Sequence, residues 1–225
     1  MIPLKDDIPA RSAPIVTVGL IVVNLAASIY TLLLAPELRE EFIYGMAVIP
    51  LEIVHLDPFT IDQALYNGMT LFTSMFLHGG PLHLISNMLY LWIFGNNVED
   101  TMGHGRFVLF YLLCGLCATV AQIAAGPDST TPMIGASGAI AGVLGAYIVL
   151  FPTARVLTLL ILVVIVRIVR IPALILLGIW LLIQLIQAGG LESSGVAWFA
   201  HIGGFAAGLA LIVPFRRRKP RHRLF

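Results

Sequence analysis

Five apolar runs recur along the chain, at about 15–35, 82–98, 107–126, 133–151 and 196–215. The hydrocarbon core of a bilayer is about 30 Å thick and takes roughly 20 apolar residues as helix to cross. Lipid offers no partner to a backbone amide, so a crossing segment must satisfy its own hydrogen bonds, which an α-helix does. Composition agrees: of 225 residues, 59% are hydrophobic and 11% charged, where soluble domains carry roughly 25% charged residues. Such a chain has too little polar surface to cover itself in water. The expectation is an all-α, polytopic membrane bundle, one domain over residues 1–225, without a soluble domain or internal repeat.

The stretch 155–188 holds one more span, the fifth in chain order. Arg155, Arg167 and Arg170 bracket the run from Val156 to Val166, which is too short to cross. Pro172 then opens a clean apolar run from Ala173 to Gln187. A span over 156–176 would bury two arginines in lipid at several kcal/mol each. The reading is therefore an interfacial segment at 156–170, rich in β-branched residues, followed by a span at 171–188. Six spans put both termini on one side.

Orientation follows from the preference of Lys and Arg for the cytoplasmic side. With the N-terminus inside, Lys5, Arg11, Arg106, Arg155, Arg167, Arg170, Arg216, Arg217, Arg218, Lys219, Arg221 and Arg223 all fall inside. They are 12 of the 13 basic residues, leaving Arg39 outside. The tail cluster reads as an anchor for anionic lipid headgroups. A net charge of +1 gives no reason to expect a nucleic-acid partner. Asp6 and Asp7 beside Lys5, with Pro3, Pro9 and Pro14, argue against a cleaved signal peptide. Cys114 and Cys117 read as small packing residues rather than a disulfide or metal pair. The outer connection, about 36–72, mixes acids (Glu37, Glu40, Glu41, Glu52, Asp57, Asp62) with Ile43, Tyr44, Ile49 and Leu51. It is expected to pack on the outer leaflet.

Polar side chains inside apolar spans are costly, and each is a functional candidate. His83 and Asn87, Ser137, and His201 lie near the outer ends of the second, fourth and sixth spans, at about one depth. His83 and Asn87 are i and i+4, neighbours on one helix face. His201, Gly204 and Gly208 share another. The span of Ser137 is crowded with Gly135, Ala136, Gly138, Ala139, Ala141, Gly142 and Gly145, and small residues let helix backbones approach closely in lipid. Two such helices in contact would bring the Ser137 hydroxyl to the His201 ring, and a serine becomes a nucleophile only beside a base. Taken singly, each has a plainer reading: Ser137 as a helix-packing residue, His201 as a proton relay or metal ligand, His83–Asn87 as an interhelical pair. His78 is expected to fix the loop before the second span, and His55, His104 and His222 to be solvated.

Residues 71–103, LFTSMFLHGGPLHLISNMLYLWIFGNNVEDTMG, resemble the rhomboid protease pattern of a loop histidine followed by HxxxN. Residues 135–142, GASGAIAG, resemble its GxSG motif, and residues 200–208, AHIGGFAAG, its AHxxGxxxG sixth span. The segment FPTARVLTLL…VRIVRIPA is similar to a connection found in a prokaryotic subgroup. Order and spacing agree over most of residues 14–215. The resemblance implies a serine endopeptidase with a Ser137–His201 dyad that cleaves transmembrane proteins near the outer face. It further implies an oxyanion site made by the Ser137 backbone N–H with His83 and Asn87, no cofactor and no metal, and a prokaryotic plasma membrane as the setting. All 12 acidic residues lie outside the spans, so no carboxylate orients His201 within them. Two positions depart from the family. Met69 and Thr70 stand where many members carry Trp–Arg, and Ala141 where some place an aromatic ring against the histidine.

Three other readings compete. A transporter would place polar groups at mid-depth in inverted repeats. A zinc protease would show HExxH. A metal carrier would use His78, His83 and His201. A catalytically inactive relative that binds membrane clients is the alternative within the family itself.

Overall fold

A computed structural model describes residues 1–55, 61–162, 165–190 and 195–216. Asp57 and the tail residues Arg217, Arg218, Lys219, Arg221, His222 and Arg223 lie outside the described residues. A short strand, β1 (Ile2–Asp6), precedes helix α1 (Ile15–Leu33). Three helices then fill the long connection: α2 (Pro36–Met46), α3 (Pro50–Val54) and α4 (Ile61–Thr73), the last running into a 3-10 turn at Ser74–Phe76. Helix α5 (Pro81–Tyr90) continues through a π-helical turn at Leu91–Gly95 into α6 (Asn96–Met102). Next come α7 (His104–Ala125) and α8 (Ser137–Leu150). Strands β2 (Arg155–Leu162) and β3 (Ile165–Pro172) lead to α9 (Ala173–Ala188) and α10 (Trp198–Phe215).

The molecule is mostly helical, and the expectation of an all-helical chain needs one correction. The segment read as interfacial pairs as a β2–β3 hairpin, and β1 adds to its edge to make a three-stranded antiparallel sheet in the order β1-β2-β3. The β-branched run and its flanking arginines favour pleated pairing over a helix. Three helices, α1, α7 and α10, are long and apolar enough to cross a membrane, while α8 and α9 are apolar but shorter. The outer connection is likewise more regular than a loop, because Pro36 and Pro50 each open a helical turn.

Helix α8 is the axis of the bundle. Gly138 through Tyr147 are all buried, against α7 on one side and α10 on the other. The small residues explain how. A methyl group on Gly204 would overlap the carbonyl oxygen of Gly138, one on Gly208 that of Gly142, and one on Gly145 that of Phe205. A methyl on Gly142 would meet Cys114, so Cys114 is the buried packing residue expected, while Cys117 is exposed and both thiols are free. Below this contact the core turns aromatic, with Phe94 edge-on to Tyr147 at 4.9 Å and Phe107, Phe110 and Tyr111 buried beside them.

Buried carboxylates tie the far end together. Glu99 accepts from the backbone N–H groups of Val16 (2.9 Å) and Thr17 (2.8 Å) and from Thr17 Oγ1 (2.7 Å). It thereby caps the first turn of α1, whose amides have no partner within the helix. His104 is exposed, as expected of a solvated residue, and its Nδ1 also pairs with Glu99 at 2.5 Å. Asp6 Oδ2 accepts from Tyr147 Oη (2.7 Å) and Asn97 Nδ2 (2.5 Å), pinning β1 under α8. Desolvation raises the Asp6 carboxyl above its ordinary value, against the lowering pull of those two bonds.

The α8–α10 contact is backbone against backbone and has no side chain to yield. Gly204→Val is therefore expected to insert into membranes normally but to unfold earlier in detergent, at an overpacking cost of about 1–3 kcal/mol. A thermal-shift midpoint equal to wild type would remove the close-approach argument.

Candidate functional site

Chain direction alone brings the candidate residues to one end of the bundle. His83 lies in the first turn of α5, Ser137 is the first residue of α8, and His201 lies in the first turn of α10. The last stretch of α9, which runs the opposite way, arrives at the same level and carries Gln184. As the opening residue of α8, Ser137 presents a backbone N–H with no carbonyl one turn earlier to receive it.

The His201 ring bridges two polar side chains. Its Nε2 is 2.8 Å from Ser137 Oγ, and its Nδ1 is 2.8 Å from Gln184 Oε1. Gln184 is buried, and its Nε2 donates to the Trp180 carbonyl one turn back, at 2.9 Å. Two indoles flank the imidazole: Trp180 with ring centroids 5.8 Å apart, and Trp198 edge-on at 5.9 Å. Trp180 in turn stacks on Phe205. The aromatic neighbour that Ala141 cannot provide thus comes from α9 and α10. Gln122 Oε1 accepts from the Ala200 N–H at 3.1 Å, fixing the start of α10 from α7.

His83 and Asn87 share the face of α5 turned to the same place. Gly135 has φ +127°, a conformation rarely adopted by residues with a side chain. A methyl there would stand 2.8 Å from His83 Cε1 and 3.6 Å from Ser137 Oγ. Both side chains therefore converge over one bare stretch of backbone. Asn87 is buried, and its Nδ2 has no hydrogen-bond partner among the described residues. His78 sits behind, its ring 5.0 Å edge-on from that of His83 and its Nδ1 3.3 Å from Ser28 Oγ of α1, which agrees with a loop-fixing role. Of the four predicted polar residues, Ser137 meets His201 and His83 lies over Gly135, while Asn87 lies one turn further along α5 from His83; Gly204 and Gly208 give α8 and α10 their close approach.

The outer connection is fastened over this end. Val48 and Met133 exchange backbone bonds (3.2 and 2.8 Å), and Leu51 N–H donates to Ser129 O at 3.1 Å. Gly135 N–H donates to Ser74 O at 2.9 Å. Without a Trp–Arg pair, the connection is held by Tyr66 Oη on Gly45 O, Asn67 Nδ2 on Glu52 O and Thr73 Oγ1 on Met46 O. Arg39 donates to the carbonyls of Thr31, Leu32 and Leu34 at the end of α1.

Sequence reasoning missed Gln184. Its signal was available, since a polar amide in the apolar run 173–187 meets the same criterion that singled out Ser137 and His201. The search for an orienting group among carboxylates passed it over. Among the described residues no cluster of three metal-binding side chains occurs.

Comparison with known proteins places these residues in a family. Residues 66–218 match the rhomboid domain. The chain is 46% identical over 76 residues to the Rhomboid protease GluP of Bacillus subtilis, covering 34% of this chain and 14% of that protein. It is 33% identical over 144 residues to RHOMBOID-like protein 4 of Arabidopsis thaliana, covering 64% and 33%. It is 35% identical over 88 residues to the mitochondrial Rhomboid protein 1 of Saccharomyces cerevisiae, covering 37% and 25%. The chain thus spans a third or less of the length of these relatives.

Gly135→Ala strains the backbone and drives a methyl into His83. The expected outcome is slower reaction of Ser137 with a fluorophosphonate, on the order of 10²-fold, as for the loss of one oxyanion donor. Labelling at the wild-type rate would show that His83 need not stand over Gly135.

Proposed function

The chain belongs to the rhomboid family and is a multi-pass membrane protein, and from that premise we propose that it is an intramembrane serine endopeptidase. The observation that carries this reading is the 2.8 Å contact between His201 Nε2 and Ser137 Oγ. A serine hydroxyl becomes a useful nucleophile only when a base can take its proton as it attacks, and this contact joins the two groups across α8 and α10.

Ser137 Oγ attacks the scissile carbonyl and passes its proton to His201 Nε2. The carbonyl oxygen, now an anion, is held by the Ser137 backbone N–H and by Asn87 Nδ2, with His83 as a further donor. The unpartnered state of Asn87 Nδ2 suits a group that finds its acceptor only when the anion forms. Oriented donors of this kind stabilise the transition state without having to reorganise. His201 then returns the proton to the leaving amine, and the acyl-enzyme forms. A water molecule activated by the same ring releases the second product, following the general logic of serine acyl transfer.

The substrates are transmembrane segments, cut near one membrane face. Helix α8 has 14 residues, about 21 Å of helix against a hydrocarbon core of about 30 Å, so Ser137 at its start sits within the membrane, below its surface. Six spans fit the helices: α1, residues 82–98, α7, α8, α9 and α10. The basic residues Lys5, Arg11, Arg106, Arg155, Arg167 and Arg170 belong to the end away from Ser137, which puts that end and both termini in the cytoplasm. The setting is a prokaryotic plasma membrane.

Two measurements test the proposal. Fluorophosphonate labelling of the detergent-solubilised protein is expected in wild type and absent in Ser137→Ala and His201→Ala. Asn87→Ala should lose about 10²–10³-fold in kcat. A folded wild type that never labels would favour the inactive, client-binding relative instead. For orientation, a membrane-impermeant maleimide added to intact cells should modify Arg39→Cys and spare Arg170→Cys, in a background where Cys117 is serine. The reverse pattern would overturn the inside placement of the termini.

A further inference from the structure

A histidine that serves as a base must present one nitrogen with a lone pair, and in a neutral imidazole the other nitrogen carries the proton. Which nitrogen does so is set by the hydrogen bond its partner makes. At His201 the partner is an amide, and the amide has only one possible orientation. The Trp180 carbonyl oxygen accepts and cannot donate, so the Gln184 atom 2.9 Å from it must be the NH₂ group. The Gln184 atom 2.8 Å from His201 Nδ1 is then the carbonyl oxygen, which can only accept. It follows that Nδ1 carries the proton, and that Nε2 faces Ser137 Oγ at 2.8 Å with its lone pair.

We propose that Gln184 is the positioning residue of His201, its amide oxygen holding the Nδ1–H tautomer and the ring angle that aim Nε2 at Ser137. The inference rests on the hydrolase reading and adds to it a residue from a fourth helix. Gln184 touches no reacting atom and works through His201. The packing around it fits this task. Its side chain is buried and makes a bond at each end, so it cannot swing away without leaving polar atoms unpaired in an apolar setting. Trp180, whose carbonyl fixes the amide, also lays its indole beside the imidazole, so one turn of α9 sets both ring tilt and tautomer. When His201 takes the Ser137 proton, both ring nitrogens become donors. The Gln184 oxygen still accepts from Nδ1, and Nε2–H is directed at the leaving amine. A neutral amide thereby performs the orienting part of the role an aspartate plays in the familiar serine triads.

The test compares Gln184→Met with Gln184→Glu in the full chain reconstituted in liposomes. Methionine keeps the length and removes the acceptor, whereas glutamic acid, neutral in this apolar setting, keeps an acceptor oxygen toward Nδ1 and a donor toward the Trp180 carbonyl. The readouts are fluorophosphonate labelling rate, kcat and KM on a fluorogenic single-span peptide, and the thermal midpoint. Gln184→Met is expected to lose about 10- to 100-fold in kcat and in labelling rate, with KM unchanged, the rate equivalent of one buried bond left unmade. Gln184→Glu is expected to stay within about fivefold of wild type, since a protonated carboxyl keeps both bonds, its carbonyl oxygen accepting from Nδ1 and its O–H donating to the Trp180 carbonyl. Wild-type rates in Gln184→Met would overturn the proposal. So would equal losses in both variants, or a loss confined to KM. If Gln184→Met unfolds early, Gln184→Leu replaces it, read by the same comparison with glutamate. A wild type that neither labels nor cleaves would instead remove the hydrolase reading itself.

Discussion

The backbone of α8 touches the backbone of α10, and the rest of the arrangement depends on that contact. Gly204 and Gly208 of α10 lie against the carbonyls of Gly138 and Gly142, and Gly145 of α8 against that of Phe205, and none of these three positions has room for a methyl group. In lipid the hydrophobic effect does not drive helices together, because the alternative partner is equally apolar, and close packing supplies the attraction instead. The same closeness sets the chemistry. A serine side chain is short, and Ser137 Oγ reaches His201 Nε2 at 2.8 Å where the backbones of the two helices approach closely.

That contact needs a fixed frame, which polar groups provide at both ends of the bundle. At the far end, Glu99 caps α1 and Asp6 holds β1 beneath Tyr147, so buried carboxylates fasten the N-terminal segment to the central helix. At the near end, the outer connection is pinned to the strand-like stretch before Ser137 through Val48, Leu51 and Ser74. Gly135 follows directly, with a backbone conformation that lets His83 lie over it. The polar residues therefore fall into two groups with different work. One group satisfies itself and holds helices in register. The other lies at the near end, where His201 meets Ser137 and His83 lies over Gly135. Burying an unsatisfied polar group is unfavourable, and Asn87 Nδ2 is one of the buried atoms left without a partner among the described residues.

Much of this was legible in the sequence, for a physical reason. Lipid favours helices on long apolar runs and makes each polar residue inside them conspicuous, so the positions of the long helices and the candidates Ser137, His201, His83 and Asn87 could be picked out from local pattern. Helix direction then puts span starts at a common level, and the glycine spacing tells which faces meet. The hairpin at 155–172 was half legible: its arginines ruled out a span, yet β1 as its third strand depends on residues separated by some 150 positions and leaves no local mark. His104 is solvated as its position suggested, but its pairing with Glu99, five residues earlier across the turn at Gly103, was not legible.

What the sequence could not determine is the partner of a side chain that has several to choose from. Gln184 is one amide in an apolar helix, and nothing in its neighbours along the chain connects it to His201. Only the tertiary structure decides that α9 seats against α10 with this amide facing the ring and Trp180 beside it. The pattern of a span is periodic and local, and so it is written in the chain. A hydrogen bond between helices depends on rotation about each axis and on depth to within an ångström, and those are set by the summed packing of the whole bundle.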